Sequence, residues 1–508
     1  MKENTASNFT NFYRTIFFKQ KYFLFLFLVF QIYIVSTNSS VKNLEIDSNS
    51  DLIFPISFFT DIENGTSIKN WALPPAPSFF PDLFLFYIAW KITGGLIHFS
   101  FFIYVAFFEC ILFLSLFYLL KNSNQKTKAQ DNNITLNRIF GFFFSLNIVF
   151  LFSPSQFSLF LLPGYHGFVV AFGCFLSIAI FLKRKYAIVS ILSFLFIFSD
   201  GQIILQCIIP ALIVLSWNFW NKKISKKDFF LMVIAILSGW IFSNIFHLLL
   251  KKLSIFQIPE VPFFSIFKSI IQKKLILSNF QSVMNFIKSE WITNSKETFW
   301  MIFFCFYFVL LIFLPSNWKK NKNLTFLIFI SILCTNFVQF FFGVWGGMRY
   351  SWFLVYLPFF ALLFSDISKK QITPFGFVIL FLLCLQFQDL YFKSESILKN
   401  PYPKKIQCLD NIANEFRLEF GFSDYWNSKY VMLYSKKKLA LKQLTKNLDE
   451  YKWIYNPEWT NKNENFNFII TNRLDKDQIH SKFSYPKEIR NCEDLEIYIY
   501  NKNELNKF

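Results

Sequence analysis

Long apolar runs separated by short basic loops are the feature that most constrains the fold of this 508-residue chain. A run of about 18 or more apolar residues is long enough to cross a bilayer as a helix. Hydrophobic residues make up 54% of the chain and charged residues only 16%, whereas soluble domains carry roughly 25% charged residues. A soluble core could not bury 76 phenylalanines. We therefore expect a membrane protein with many spans.

We predict an all-α polytopic transmembrane helix bundle with about eleven spans. Their approximate positions are 22–37, 96–120, 138–152, 167–182, 186–199, 202–220, 229–250, 298–315, 324–342, 351–366 and 373–390. The fifth span is short and could form one helical hairpin with the sixth through Asp200-Gly201. The first span lacks a small-residue cleavage site, so we expect an uncleaved helix and not a signal peptide.

The basic residues follow a pattern that sets the orientation of these spans. They fill every second short connection, as in Lys183-Arg184-Lys185 and Lys319-Lys320, and are nearly absent from the alternate connections. The positive-inside rule puts the basic loops and the N-terminus in the cytoplasm. The outer loops are then 38–95 and 251–297, which predicts an N-in, C-out protein of the cell (inner) membrane. Because topology accounts for the net charge of +19, no nucleic-acid partner is expected.

The composition changes after the last span, which divides the chain into a membrane domain, 1–390, and an extracytoplasmic domain, 391–508. In the second domain, "FNFIITNRL" and "LEIYIYNK" alternate as strands do, and "PKKIQCLDNIANEFRLE" is helix-like with a stop at Gly421. We predict a small α/β domain there. Cys408 and Cys492 could form a disulfide in an oxidising compartment. The chain has no His/Cys cluster of the kind that predicts structural zinc.

Six ionisable residues stand out on the predicted outer side: Asp61, Glu63, Asp82, His166, Asp200 and Arg349. Each has an ordinary explanation as a solvated turn residue, a helix cap or an interfacial anchor. These explanations account less well for the fact that all six residues are predicted on the same side of the membrane. Because ionisable groups at membrane depth are costly and usually line a polar cavity, a cleft between the helices could bring the six together.

Glu109 is a different case, because it lies near the middle of the second predicted span. A charge costs a few kcal/mol or more at that depth. Glu109 is therefore protonated and hydrogen-bonded inside the bundle, paired with a residue such as His98, or functional. These alternatives stay open at the level of the sequence.

The first outer loop carries an Asp-x-Glu pair, Asp61 and Glu63, followed by "PPAPSFFPD" and a short amphipathic segment. Together with an N-in first helix, many spans and an outer C-terminal domain, this arrangement resembles the C-type glycosyltransferase superfamily. Those integral membrane enzymes take a sugar from a polyprenyl-phosphate donor. Asp61 and Glu63 match the acidic motif of that family's first outer loop. Pro74-Pro75 loosely matches a His-Pro-Pro segment found in some members, although no His precedes Pro74.

The resemblance implies a role for each charged group. An acceptor hydroxyl must lose a proton as the anomeric carbon gains oxocarbenium character, and Asp61 is the expected base. Glu63 would orient Asp61 or help it to hold a divalent cation. The lipid-phosphate leaving group needs positive charge, which Arg349 would supply as a planar fork. Lys273 and Lys274, in the amphipathic outer loop, are the alternatives.

The remaining outer residues are expected to bind sugar hydroxyls or to support the base: Asp82, His166 and Asp200. The expected partners are the lipid bilayer, a polyprenyl-phosphate sugar, and a glycan, lipid or protein acceptor. A divalent cation is the one cofactor that the acidic pair suggests. Inverting transfer follows by family analogy alone.

Two other functions remain in competition with glycosyl transfer. A transporter or flippase for a lipid-linked or anionic substrate would place its polar residues near the bilayer midplane, around Glu109. A non-catalytic component of cell-envelope assembly would use the outer domain, with "GFSDYWNSKY" and "YKWIYNPEW", to bind a partner or glycan. An enzyme predicts that Asp61, Asp82 and Arg349 line one outward cavity.

Overall fold

The computed structural model describes four main stretches of the chain: 50–123, 185–259, 402–460 and 465–501. It also describes shorter pieces at 139, 162–164, 167, 173, 176, 281, 326–327, 329–331, 333–334, 400 and 504–505. Four predicted spans, the second and the fifth to seventh, fall largely within the main stretches. The number of eleven spans therefore stays a prediction. Four of the predicted site residues lie outside the described residues: His166, Lys273, Lys274 and Arg349.

The described part of the first 390 residues is mainly helical. The helices are α1 (Ser50–Glu63), α2 (Phe84–Ile92), α3 (Ile97–Ser123), α4 (Tyr186–Ser199), α5 (Ile209–Trp220) and α6 (Lys226–Lys252). Within the described residues, two helical segments are long and apolar enough to cross a membrane, Ile97–Tyr118 and Lys226–Lys252, with mean hydropathies of 2.2 and 2.1. The core helix of a soluble protein can meet the same criteria, so the membrane location stays a prediction.

Local chemistry explains where α6 begins and ends. The Ser225 side chain caps its first turn by accepting from the Asp228 amide, and Lys251 and Lys252 occupy its last turn, where cations complement the helix dipole. α6 packs closely on α4 through Gly239. A Cβ atom on Gly239 would lie 2.6 Å from the Ser190 carbonyl oxygen, so this contact requires glycine.

The described part of the predicted first outer loop, residues 50–95, is folded into regular elements. α1 buries nine of its residues. Strand β1 (Trp71–Ala72) follows and pairs in parallel with β2 (Phe256–Gln257). A π-helical turn, Phe79–Leu83, then leads into α2. This part of the chain is therefore a folded unit made of a helix, a short strand and a π-helical turn.

The C-terminal domain, predicted on the outer side and called the outer domain below, is a five-stranded sheet with helices on both faces. Its strands are β3 (Phe420–Asp424), β4 (Ala440–Leu444), β5 (Phe466–Ile470), β6 (Glu488–Cys492) and β7 (Leu495–Ile499), in the order β4-β3-β5-β7-β6. β3 is parallel to β4 and β5, whereas β7 is antiparallel to β5 and β6. Its helices are α7 (Lys404–Phe416), α8 (Tyr425–Tyr434) and α9 (Lys476–Phe483).

Each face of the sheet has its own apolar core. One core joins α7 and α8 to the face that carries Phe468. The other joins α9 to Phe422 and Ile469. Cys408 of α7 and Cys492 of β6 form a disulfide across 84 residues of sequence.

The predicted glycine stop of α7 is wrong. The helix ends at Phe416, with Arg417 in the left-handed conformation. Gly421 lies inside β3, where a Cβ atom would come within 2.6 Å of the Phe468 ring. The glycine is needed for sheet packing, which the local sequence does not show.

The outer domain is docked on the first outer loop. The Ser50 hydroxyl donates to the carbonyl oxygens of Tyr425 at 2.8 Å and Trp426 at 3.0 Å. The backbones of Ala72 and Tyr455 form an antiparallel bridge with N···O distances of 2.7 and 3.0 Å. The two parts consequently share one apolar core.

Candidate functional site

Asp61, the predicted base, lies near the end of α1 and is only 7% exposed. One carboxylate oxygen, Oδ2, accepts from Trp71 Nε1 at 2.9 Å and from Asn456 Nδ2 at 2.7 Å. Trp459 Nε1 donates to both oxygens at 3.0 Å. Two of these three donors belong to the outer domain, so Asp61 joins that domain to the first loop.

This bonding constrains the chemistry open to Asp61. A carboxylate offers about four lone-pair positions, and here three donors already point at them. Among the described residues, Oδ2 accepts from all three donors and Oδ1 accepts only from Trp459, so an acceptor hydroxyl would have to approach Oδ1. The catalytic role of Asp61 stays a prediction, whereas its anchoring contacts are directly visible.

Glu63 lies two residues further along, on the surface. Its carboxylate accepts from Lys91 Nζ at 2.7 Å, and this hydrogen bond lowers the pKa of Glu63. Glu63 therefore forms a surface ion pair. Within the described ranges, no group of three or more His, Cys, Asp or Glu side chains is arranged to hold a metal ion.

Asp82 is buried inside the π-helical turn. Its Oδ1 accepts from the Tyr104 hydroxyl at 3.1 Å, and its Oδ2 accepts from the Gly164 amide at 2.8 Å. Asp82 thus links the first outer loop to α3 and to the loop that precedes His166. The sequence left a helix cap open as an explanation for Asp82; in the structure the N-cap position of α2 is Leu83.

Asp200 is also buried, and it ends α4. Its Oδ1 accepts from the Gln202 amide at 2.9 Å, as expected for a turn residue. The preceding residue, Ser199, accepts from the Phe80 amide through its hydroxyl at 2.8 Å and from the Ser78 amide through its carbonyl at 2.9 Å. The segments that carry Asp82 and Asp200 are therefore bonded to each other.

These contacts connect five segments that the sequence predicts on the outer side. The first outer loop contacts the 162–164 turn through Asp82, the end of α4 through Ser199, β2 through Trp71, and the outer domain through Asp61. Asp61, Asp82 and Asp200 thus belong to one connected layer. Arg349 and His166, the other expected members, lie outside the described residues.

Glu109 lies on α3 and is 3% exposed. Its Oε2 has no hydrogen-bond partner among the residues that the structure describes. An unpaired buried carboxyl oxygen is costly. Glu109 therefore stays a candidate for a functional role, as its position within a predicted span suggested.

Lys429 of α8 was not identified from the sequence, although it is fully buried. Its Nζ lies 4.2 Å from the Tyr425 ring centroid and has no hydrogen-bond partner in the described part of the chain. The Tyr425 hydroxyl donates to Asp51 of α1 at 2.5 Å. Burial lowers the pKa of Lys429 well below its usual range, and the Asp51 charge only partly opposes this. The sequence feature that could have indicated this buried lysine is its position among the aromatic residues of "YWNSKY".

Comparison with known proteins adds no relative. No protein-family model, curated protein or solved structure matches this chain. The resemblance to C-type glycosyltransferases therefore depends on the predicted topology and on the residues of the first outer loop.

Proposed function

We propose that this chain is a membrane glycosyltransferase that moves a sugar from a polyprenyl-phosphate donor to an acceptor on the outer face of the membrane. The observation that best supports the proposal is the connected layer of buried aspartates. Asp61, Asp82 and Asp200 lie on segments that contact one another and that the sequence predicts on one side. Carboxylates in such a layer are suited to deprotonating and orienting hydroxyl groups.

Within this proposal the three aspartates have different tasks. The base is assigned to Asp82 in place of Asp61, the base expected from the sequence, because Asp82 contacts α3 and the 162–164 turn that leads to His166, whereas Asp61 contacts the outer domain. Asp61 holds the outer domain against the first loop by accepting hydrogen bonds from three donors. Asp200 holds the turn beside them and contributes to sugar binding.

The basic residues complete the proposed reaction. The lipid-phosphate leaving group gains negative charge as the glycosidic bond breaks, and a cation positioned there stabilises the transition state. Arg349 is the proposed partner of that phosphate, with Lys273 and Lys274 near the lipid carrier. His166, two residues from the Gly164 amide that donates to Asp82, is proposed to bind the sugar.

One observation favours a transporter or flippase as the second candidate. Glu109 is buried within a predicted span and its Oε2 is unpaired among the described residues. A carboxyl group of this kind can mark a proton or substrate path through the bilayer.

The test compares four variants by the surface-glycan profile of cells, with membrane levels of each protein measured in parallel. The variants are Asp82→Asn, Asp61→Asn, Glu109→Gln and the surface control Glu63→Gln. The proposal predicts loss of a glycan in Asp82→Asn at normal membrane level, and no change in Glu63→Gln. Loss in Glu109→Gln alone would favour transport. Normal glycans in every variant would contradict both functions.

A further inference from the structure

The outer domain has a topological switch point, where the chain leaves two adjacent parallel strands toward opposite faces of the sheet. β3 lies between β4 and β5 and is parallel to both. α8, which follows β3, packs on one face, whereas α9, which follows β5, packs on the other. Open α/β sheets bind ligands outside the carboxyl ends of their strands at such a switch point. Here that point lies between the ends of β3 and β5.

Two cationic side chains and one aromatic side chain stand at this edge. Trp426 follows β3, Arg473 follows β5, and Lys446 follows the neighbouring strand β4. The Arg473 guanidinium lies 5.5 Å from the Trp426 ring centroid. The Asp475 amide donates to the Lys446 carbonyl at 3.2 Å, which ties the loop after β5 to the loop after β4. The two cations are therefore carried by joined loops.

Both cations remain available to a ligand. Arg473 and Lys446 are exposed, and neither forms a salt bridge with any residue that the structure describes. The nearby acid, Asp424, is buried and caps α8 by accepting from the amides of Trp426 and Asn427. Burial raises the pKa of Asp424, while its hydrogen bonds and the Arg473 charge lower it. Two further acids stand in these loops: Asp475 caps α9 by accepting from the amides of Asp477 and Gln478, and Asp449, after β4, is exposed.

The edge lies close to the start of α1. The Ser50 hydroxyl donates to the Trp426 carbonyl at 3.0 Å, and Ser50 follows the first predicted span by about a dozen residues. A ligand at this edge would be held next to the first outer loop. The disulfide between Cys408 and Cys492 fits an oxidising compartment outside the cytoplasm.

We infer that the outer domain carries a second binding site, for a phosphorylated sugar, at the carboxyl edge of β4, β3 and β5. Arg473 and Lys446 bind the phosphate, since guanidinium and ammonium groups form charge-assisted bonds with phosphate oxygens. The partly exposed Trp426 ring holds the guanidinium in place and offers an apolar surface to the sugar ring. The inference does not depend on the reaction proposed for the helix bundle, and an inactive Asp82→Asn protein should still bind.

The test measures binding to full-length protein in nanodiscs by isothermal titration calorimetry, with glucose 1-phosphate as the soluble probe. A second arm adds a polyprenyl phosphoglucose to the nanodisc, which distinguishes a free from a lipid-linked source of the same chemistry. The variants are Arg473→Gln and Lys446→Gln. The matched control is Lys437→Gln, an exposed lysine that precedes β4 and so lies at the opposite edge of the sheet.

We expect Arg473→Gln to weaken binding about tenfold or more, because it removes a charge-assisted hydrogen bond. Lys446→Gln should weaken binding in the same direction, and Lys437→Gln should bind as the unmodified protein does. Binding in either the soluble or the lipid arm with this pattern supports the site. Three results would overturn it: no binding of either probe at millimolar concentration, equal effects in Arg473→Gln and Lys437→Gln, or equally tight binding of unphosphorylated glucose.

Discussion

Replacing Asp61 with alanine should release the outer domain from the first outer loop. The change removes the acceptor of three donors, Trp71 Nε1, Asn456 Nδ2 and Trp459 Nε1. Trp71 and Asn456 are fully buried, and a buried donor left unsatisfied costs about 1–3 kcal/mol. Trp459 is partly exposed and can turn to water. Only Asn456 and Trp459 donate from the outer domain, so the buried Asn456 donor by itself predicts a loss of about 1–3 kcal/mol of docking free energy.

Hydrogen exchange measured by mass spectrometry would report this loss directly. The amides of Ala72 and Tyr455 donate to each other's carbonyl oxygens across the docked surface, so they are protected only while the two parts are together. A loss of about 2 kcal/mol corresponds to roughly 30-fold faster exchange. Glu63→Gln is the matched control, since it alters a surface carboxylate two residues away that contacts Lys91 and not the outer domain. Exchange in Glu63→Gln should be unchanged.

Two results would contradict this account of Asp61. Exchange at Ala72 and Tyr455 in Asp61→Ala that equals the unmodified protein would show that Asp61 does not anchor the domain. The second result is an Asp61→Asn protein that stays docked and yet has lost glycan transfer. That result would return the role of base from Asp82 to Asp61.

Three further predictions concern stability. Burial lowers the pKa of Lys429, so the unfolded state binds more protons than the folded state does, and the free energy of unfolding should rise with pH up to about 10.4. Lys429→Met should have a higher free energy of unfolding than the unmodified protein between pH 6 and 9. Its denaturation curves should also lose this rise with pH. Gly239→Ala should cost about 1–3 kcal/mol by overpacking and lower the thermal midpoint, whereas Gly201→Ala, with open space around its Cβ position, should not. Replacing Cys408 and Cys492 together with serine should destabilise the outer domain by about 4.5 kcal/mol, given the 84-residue separation, as measured by thermal denaturation against the oxidised unmodified protein.

Each of these three has a result that would refute its premise. An unchanged pH slope in Lys429→Met would mean that the amine is charged and solvated when folded. Equal midpoints for Gly239→Ala and Gly201→Ala would rule out the close approach of α4 and α6. If thiol labelling under denaturing conditions did not increase on reduction, Cys408 and Cys492 would not be bonded.

Local patterns in the sequence located many of the elements. The apolar segments predicted at 96–120 and 229–250 fall on α3 and α6, and the alternating segments "FNFIITNRL" and "LEIYIYNK" contain β5 and β7. These predictions depend on periodicity and hydropathy, which are properties of neighbouring residues. The function of Gly421 could not be found in this way, because its packing partner Phe468 lies on another strand.

The candidate site likewise has features that neighbouring residues predict and features that depend on contacts between distant residues. The composition and charge pattern by themselves determined the expected class of protein, the expected sides of its loops and the acids worth attention. Only the tertiary structure decided what those acids touch: Asn456 and Trp459 reach Asp61 from 395 and 398 residues away, and Lys429 is buried on a helix that packs against α1. Hydropathy and periodicity act over a few residues and can be read from a segment. Hydrogen-bond partners depend on which distant segments pack together, and that is set by the fold as a whole.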